Sequence, residues 1–205
     1  MGKVVEFRGV DNLVYAEVTN DDNEASGGYT TGEVKSLAAV AEISKTTEVS
    51  SATKYYDNLP AIVINAEGSD EITITCAIPD LATYAELTGK TIDSATGAMI
   101  DSEREPKYFA LGYRFKKTDG TYRYVWRLKG MFAIPDETSA TEDDGTDGNN
   151  MSLTYTGIST THKFTKGNKP AKAVVVDDTA DSKADISTFF DEVTDPDKLQ
   201  AKSGG

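Results

Sequence analysis

PKYFALGYRFKKTDGTYRYVWRLKGMFAIP, residues 106–135, consists of two runs of aromatic and β-branched residues on either side of Asp119-Gly120. An Asp-Gly pair between such runs predicts a β-hairpin with a two-residue loop, because both central residues of that turn need positive φ. Thr118 then faces Thr121, which sets Lys117 against Tyr122, Phe115 against Tyr124, Tyr113 against Trp126 and Leu111 against Leu128. The other face would carry Lys116 against Arg123, Arg114 against Val125, Gly112 against Arg127 and Ala110 against Lys129. The expectation is a hairpin with one aromatic and one cationic side, in phase on both strands. Its aromatic side reads as core rather than as a stacking platform for bases or sugars, since Tyr113/Trp126 and Leu111/Leu128 lie in line with aliphatic neighbours.

Upstream, Leu13–Val18 is a strand candidate that ends in the Asn20-Asp21-Asp22-Asn23 cluster, and residues 1–11 form an arm leading into it. Val34–Val49 reads as strand because Val40, Ile43, Thr46, Thr47 and Val49 outweigh its alanines. Thr53–Asp57 and Ala61–Asn65 are two short strands separated by Asn58-Leu59-Pro60, as proline cannot donate to a central ladder. In Glu71–Ile78, Ile72, Ile74, Cys76 and Ile78 alternate with Thr73, Thr75 and Ala77, which makes Cys76 a small apolar core residue. Asp80–Thr88 reads as a short helix: Asp80 caps it, Leu81 and Tyr84 face a sheet, and Gly89 stops it. A small strand is expected around Ala98–Ile100.

Downstream, residues 136–150 (DETSATEDDGTDGNN) hold no large apolar side chain and read as a solvated loop. Met151–Thr156, Ser159–Thr165 and Ala173–Val176 are strands, and Ile186, Phe189, Phe190 and Val193 share one side of an amphipathic helical segment. The count is eight to ten strands, mostly antiparallel. The fold class is mainly β: an antiparallel sandwich or barrel-like pair of sheets with one short flanking helix and extended arms. Residues 1–177 are expected to form one β-sandwich domain with an N-terminal arm, and residues 178–205 an acidic C-terminal arm or tail.

The chain of 205 residues is 38% hydrophobic and carries a net charge of −13. Pro106–Lys129 holds seven cations against Asp119 alone, a local +6 that leaves −19 elsewhere. An acidic body disfavours DNA binding. Cys76 is the sole cysteine and His162 the sole histidine, so no zinc cluster or internal disulfide is expected. His162 reads as a surface strand residue, and no glycine-flanked serine accompanies it for nucleophilic hydrolysis. Asp143–Asn149 alternates carboxylates and glycine but lacks the spacing and terminal glutamate of a calcium loop. No run approaches a membrane span, and MGKVVEFRGVDN lacks the apolar region of a signal peptide. A non-enzymatic protein without cofactors or metal, kept in the cytoplasm until assembly or release, is expected.

The 106–135 stretch, with Gly9-Val-Asp-Asn-Leu-Val-Tyr-Ala16, Tyr55-Tyr-Asp-Asn58 and the EITIT strand before a short helix, resembles the major tail proteins of long-tailed bacteriophages of Gram-positive hosts. The resemblance covers residues 9–165 and excludes the acidic loop and the C-terminal region. It implies a tail-tube subunit: a virion structural protein that closes into hexameric rings stacked around a lumen through which DNA is ejected without specific binding. The implied partners are further copies, the tape measure protein and the tail terminator; the implied location is the virion tail, with the host cytoplasm during assembly. The alternative is a β-sandwich binding module for carbohydrate or surface adhesion. On the tube reading, Arg114, Lys116, Arg123, Arg127, Lys129, Phe189 and Phe190 are candidate subunit-interface residues. Lys116 against Arg123 is a like-charge pair costing up to ~1 kcal/mol, so the basic face should meet acidic residues of the same or a neighbouring subunit. Residues 44–58, 136–150, the arm to Val10 and the segment after Asp177 are expected to be mobile in the free subunit.

Overall fold

The computed structural model describes residues 4–22, 28–137, 139 and 149–202. Its elements are β1 (Phe7–Asp21), β2 (Tyr29–Thr31), β3 (Lys35–Ser36), β4 (Val40–Tyr56), β5 (Leu59–Cys76), α1 (Leu81–Thr88), β6 (Thr91–Ile92), β7 (Met99–Ile100), β8 (Phe109–Lys117), β9 (Tyr122–Phe132), β10 (Met151–Ile158) and β11 (Ala173–Asp177). Nine strands form one antiparallel sheet in the order β2-β1-β8-β9-β10-β5-β4, with β3 on β1 and β11 on β9; β6 and β7 pair separately. The mainly-β antiparallel class and the helix Leu81–Thr88 are as expected. The sheet curls until β1 approaches β4 without hydrogen-bonding to it, so it is sandwich-like but not a closed barrel.

The 106–135 hairpin forms, but one residue out of the expected register. Lys116 faces Tyr122, Phe115 faces Arg123, Arg114 faces Tyr124, Tyr113 faces Val125, Gly112 faces Trp126 and Leu111 faces Arg127. The shift is seen in the turn. Only Gly120 has positive φ, at 87°; its N–H donates to Lys117 O, and Lys117 N–H donates to Thr121 O. That is a type I turn closed by a glycine bulge, a three-residue loop in place of the two-residue one. Asp119 stabilises it by accepting from the Thr121 backbone and hydroxyl.

A one-residue slip moves one strand's side chains to the opposite face of its partner's. Phe109, Leu111, Tyr113 and Val125 therefore share a core with Leu13, Tyr15, Ile72, Ile74, Cys76, Leu153, Tyr155 and Leu87. On the reverse side, Ala110, Trp126 and Leu128 pack with Val14, Ala16, Val174, Val176, Phe164, Phe189 and Val193. The sheet centre is buried on both faces. Gly112 is required here: a Cβ would lie 2.9 Å from the Trp126 ring and 2.7 Å from Val14. Along its second edge β9 pairs first with β11, at Arg123–Arg127, and then with β10, at Lys129–Phe132.

Other expectations are corrected by packing. Strand begins at Phe7 rather than at Leu13, because β1 continues along β8 as far as Lys117. Residues 178–202 are not a free arm. They form turns that lay Phe189 and Val193 on Trp126, whose Nε1 donates to Phe189 O at 2.7 Å. The expected amphipathic helix there is absent, and Ser159–Thr165 carries bends and a single bridge, Phe164 to Lys169, rather than a strand. Helix α1 has the expected cap, Asp80 accepting from Thr83 N at 2.8 Å, and the expected stop, Gly89 at φ 70°. It buries Thr83, Ala85, Leu87 and Thr88 instead of Leu81 and Tyr84, turning Leu81 outward.

Candidate assembly surface

The expected cationic face does not exist as one surface, because the register divides it. Arg114 and Lys116 lie on the Trp126 side, and Arg123 and Arg127 on the Tyr113 side. The expected Lys116/Arg123 repulsion disappears, and Arg114 instead lies 4.5 Å from the Tyr122 ring centre, a cation–π contact. Four of the five cations are paired inside the subunit. Arg114 meets Asp11 through Nε at 2.6 Å and Nη2 at 3.1 Å, and Arg123 meets Asp177 at 2.6 and 2.8 Å. Arg127 reaches the buried Asp70 at 3.0 Å, and Lys129 reaches Asp21 at 2.5 Å. Lys116 alone of the five is exposed with no ion pair among the described residues. The acidic partners anticipated for these residues thus come from the same subunit.

Two of these carboxylates hold structure together. Burial works against charge on Asp21, but hydrogen bonds from Lys129 and from the backbone of His162 and Thr161 prevail and keep its carboxyl below the ordinary range. Asp177 is held at about 2, chiefly by the Arg123 hydrogen bond, against partial burial and with help from Lys117. Asp70 gathers Arg127, Lys45 and Lys172 where β4 and β5 leave the sheet body.

Phe189 and Phe190, also expected at an interface, are covered by their own subunit: Phe189 is buried and Phe190 half-buried, 5.7 Å from Trp126 between ring centres. Trp126 and Tyr113 are buried as well, so the hairpin presents no aromatic platform. Cys76 lies in the core, where burial pushes its thiol up. His162 is half-buried in a bend, edge-on to Phe164 with ring centres 5.0 Å apart, and not in a strand. Among the described residues no group of three or more His, Cys, Asp or Glu could hold a metal, and the calcium-like stretch lies outside them except for Asn149. Among the described residues no helix is long and apolar enough to cross a membrane.

A second hairpin forms an exposed apolar surface. The two short strands expected around Asn58-Leu59-Pro60 are continuous with their flanks, giving a ribbon of 17- and 18-residue strands. Its turn, Asp57-Asn58, has φ of 49° and 62°, the two positive values of a type I′ loop. Pro60 fits because the register shifts beside it, between Lys54 and Tyr55, and β10 does not extend this far. β10 borders β5 only from Asp70 to Cys76, so beyond Asp70 each strand has only the other. Every residue from 48 to 68 is exposed. Among them Val49, Tyr55, Tyr56, Leu59, Ile62, Val63 and Ile64 are 49–67% exposed. The sequence held the signal, a run of Leu-Pro-Ala-Ile-Val-Ile, but proline and the short-strand reading hid that both faces stay open.

No protein-family model and no curated protein matches this chain.

Proposed function

We propose that this chain is a structural, self-assembling subunit of a phage tail tube, forming stacked hexameric rings around a lumen. The observation that carries the reading is the β4–β5 hairpin, which extends past the sheet with large apolar side chains on both faces. A two-stranded ribbon is marginal in water by itself, and an exposed edge with apolar faces invites another chain. The resemblance of residues 9–165 supplies the kind of assembly. Internal pairing of the β8–β9 cations supports passage of DNA without specific binding, since four of the five are held by aspartates rather than presented to phosphates. The role is non-enzymatic, in the virion tail after assembly in the host cytoplasm, alongside tape measure and terminator proteins.

Electron microscopy of the purified full-length chain tests this. Concentrated or seeded protein forms rings and hollow tubes, and Ile62→Asp with Ile64→Asp forms no tubes while keeping the wild-type circular dichroism. A strictly monomeric wild type at high concentration, across salt conditions and beside a seeding tail tip, would sink the proposal.

A further inference from the structure

The subunit also carries an apolar groove at the opposite end of β5 from the hairpin tip. Ile78, Leu81, Tyr84, Met99 and Met151 line it with Glu137, enclosing about 290 Å³. Ile78 is 69% and Leu81 49% exposed. Beside it Asp136 and Glu137 border a second hollow that shares Ile78 and Met151. Neither carboxylate forms an ion pair among the described residues. The neighbouring segment 140–148, ATEDDGTDG, has no large apolar side chain with which to fill an apolar groove.

The hairpin has the matching chemistry. By register, Ala52 faces Ile64, Lys54 faces Ile62 and Tyr56 faces Leu59. One side of the ribbon therefore presents five apolar residues around a single cation, Lys54. The groove presents five apolar residues beside an acidic rim. On that side Tyr56, Leu59, Ile62 and Ile64 are each 49–67% exposed, an apolar surface that a partner chain would cover. The hairpin cannot fill its own groove. The 18 residues of β5 hold the tip and Ile78 apart by roughly 60 Å at strand rise.

We infer that the Lys54 face of one subunit's hairpin seats in the Ile78/Leu81 groove of a second copy, with Lys54 against Asp136 and Glu137. This rests on the assembly reading above and names its receiving surface. The contact joins two different patches, so it is head-to-tail. Each copy keeps one unused hairpin and one unused groove, and addition continues along the direction of β5. It is thus a contact that stacks layers rather than one that closes a two-fold pair.

Two variants test it by complementation. Ile62→Asp/Ile64→Asp disables the hairpin, and Ile78→Glu/Leu81→Glu disables the groove; all four side chains are largely exposed. Sedimentation velocity of the full-length proteins should show that neither variant alone makes tubes. An equimolar mixture should pair through the one intact hairpin and the one intact groove and stop at twice the mass of either. Lys54→Glu should weaken association about tenfold or more, and by less as salt is raised. Wild-type-like tubes from the groove variant would overturn the groove while leaving the assembly reading standing. So would a mixture that fails to pair although wild type polymerises. A wild type that never associates would overturn the assembly reading first, and this inference with it.

Discussion

The β8–β9 and β4–β5 hairpins draw on the same alphabet of aromatic, β-branched and lysine residues, yet they occupy opposite physical states. β8 and β9 have neighbours on both edges and a core on each face, and their cations Arg114, Arg123 and Arg127 are matched by carboxylates from β1, β11 and β5. The outer part of β4–β5 has neither flanking strands nor covered faces, and its apolar residues meet solvent. Strand propensity is therefore common to both, and what separates them is the number of neighbours. The first hairpin stabilises the fold; the second leaves its apolar faces open, which is what the assembly proposal draws on.

Substitutions in the two regions should part stability from assembly. The largest loss is expected from Trp126→Ala, about 3–5 kcal/mol in urea unfolding, because it leaves a cavity. It also removes the anchor to Phe189 O, so residues 178–202 should become cleavable by protease at concentrations that spare wild type. Resistance of that segment in the variant would show that Trp126 is not what holds it.

Next, Arg127→Met leaves the buried Asp70 with the Thr47 hydroxyl at 2.9 Å and Lys45 and Lys172 at 3.7 Å, and should cost about 3 kcal/mol in the same measurement. A variant as stable as wild type would mean that the two lysines suffice. Asp177→Asn should matter less. The Asp177 carboxyl titrates at about 2 against an ordinary 3.8, so its ion pairs stabilise the fold above pH 4 and are lost as pH falls from 4 towards 2. Its side chain is 35% exposed, so screening trims the contribution to about 1 kcal/mol. The stability gap between wild type and Asp177→Asn should close over that interval, and a gap unchanged at pH 2 would refute the assignment.

The smallest stability effect belongs to the outer hairpin. Ile62→Asp/Ile64→Asp should shift unfolding by no more than ~0.5 kcal/mol, as for other exposed sites, while abolishing tubes. A large stability loss would mean that the ribbon is packed in the isolated subunit, and the contrast between the two hairpins would fail.

The sequence by itself determined the local decisions. Period-two alternation marked Ile72, Ile74 and Cys76 as core, Asp80 and Gly89 bounded the helix, and Asp119-Gly120 located a hairpin. Each depends on a few adjacent residues. The tertiary structure decided the register, since both Asp-Gly loop types suit the same residues. The choice between them turns on Gly112 accommodating Trp126 and on Asp11, Asp70 and Asp177 arriving from distant strands. It also decided exposure. Phe189 looked unpartnered and is buried by a sheet face more than 60 positions earlier in the chain, whereas Ile62 and Ile64, read as part of a short strand, stay exposed on an uncovered ribbon. Periodicity shows which residues share a side; only the neighbours brought by the fold decide whether that side is covered.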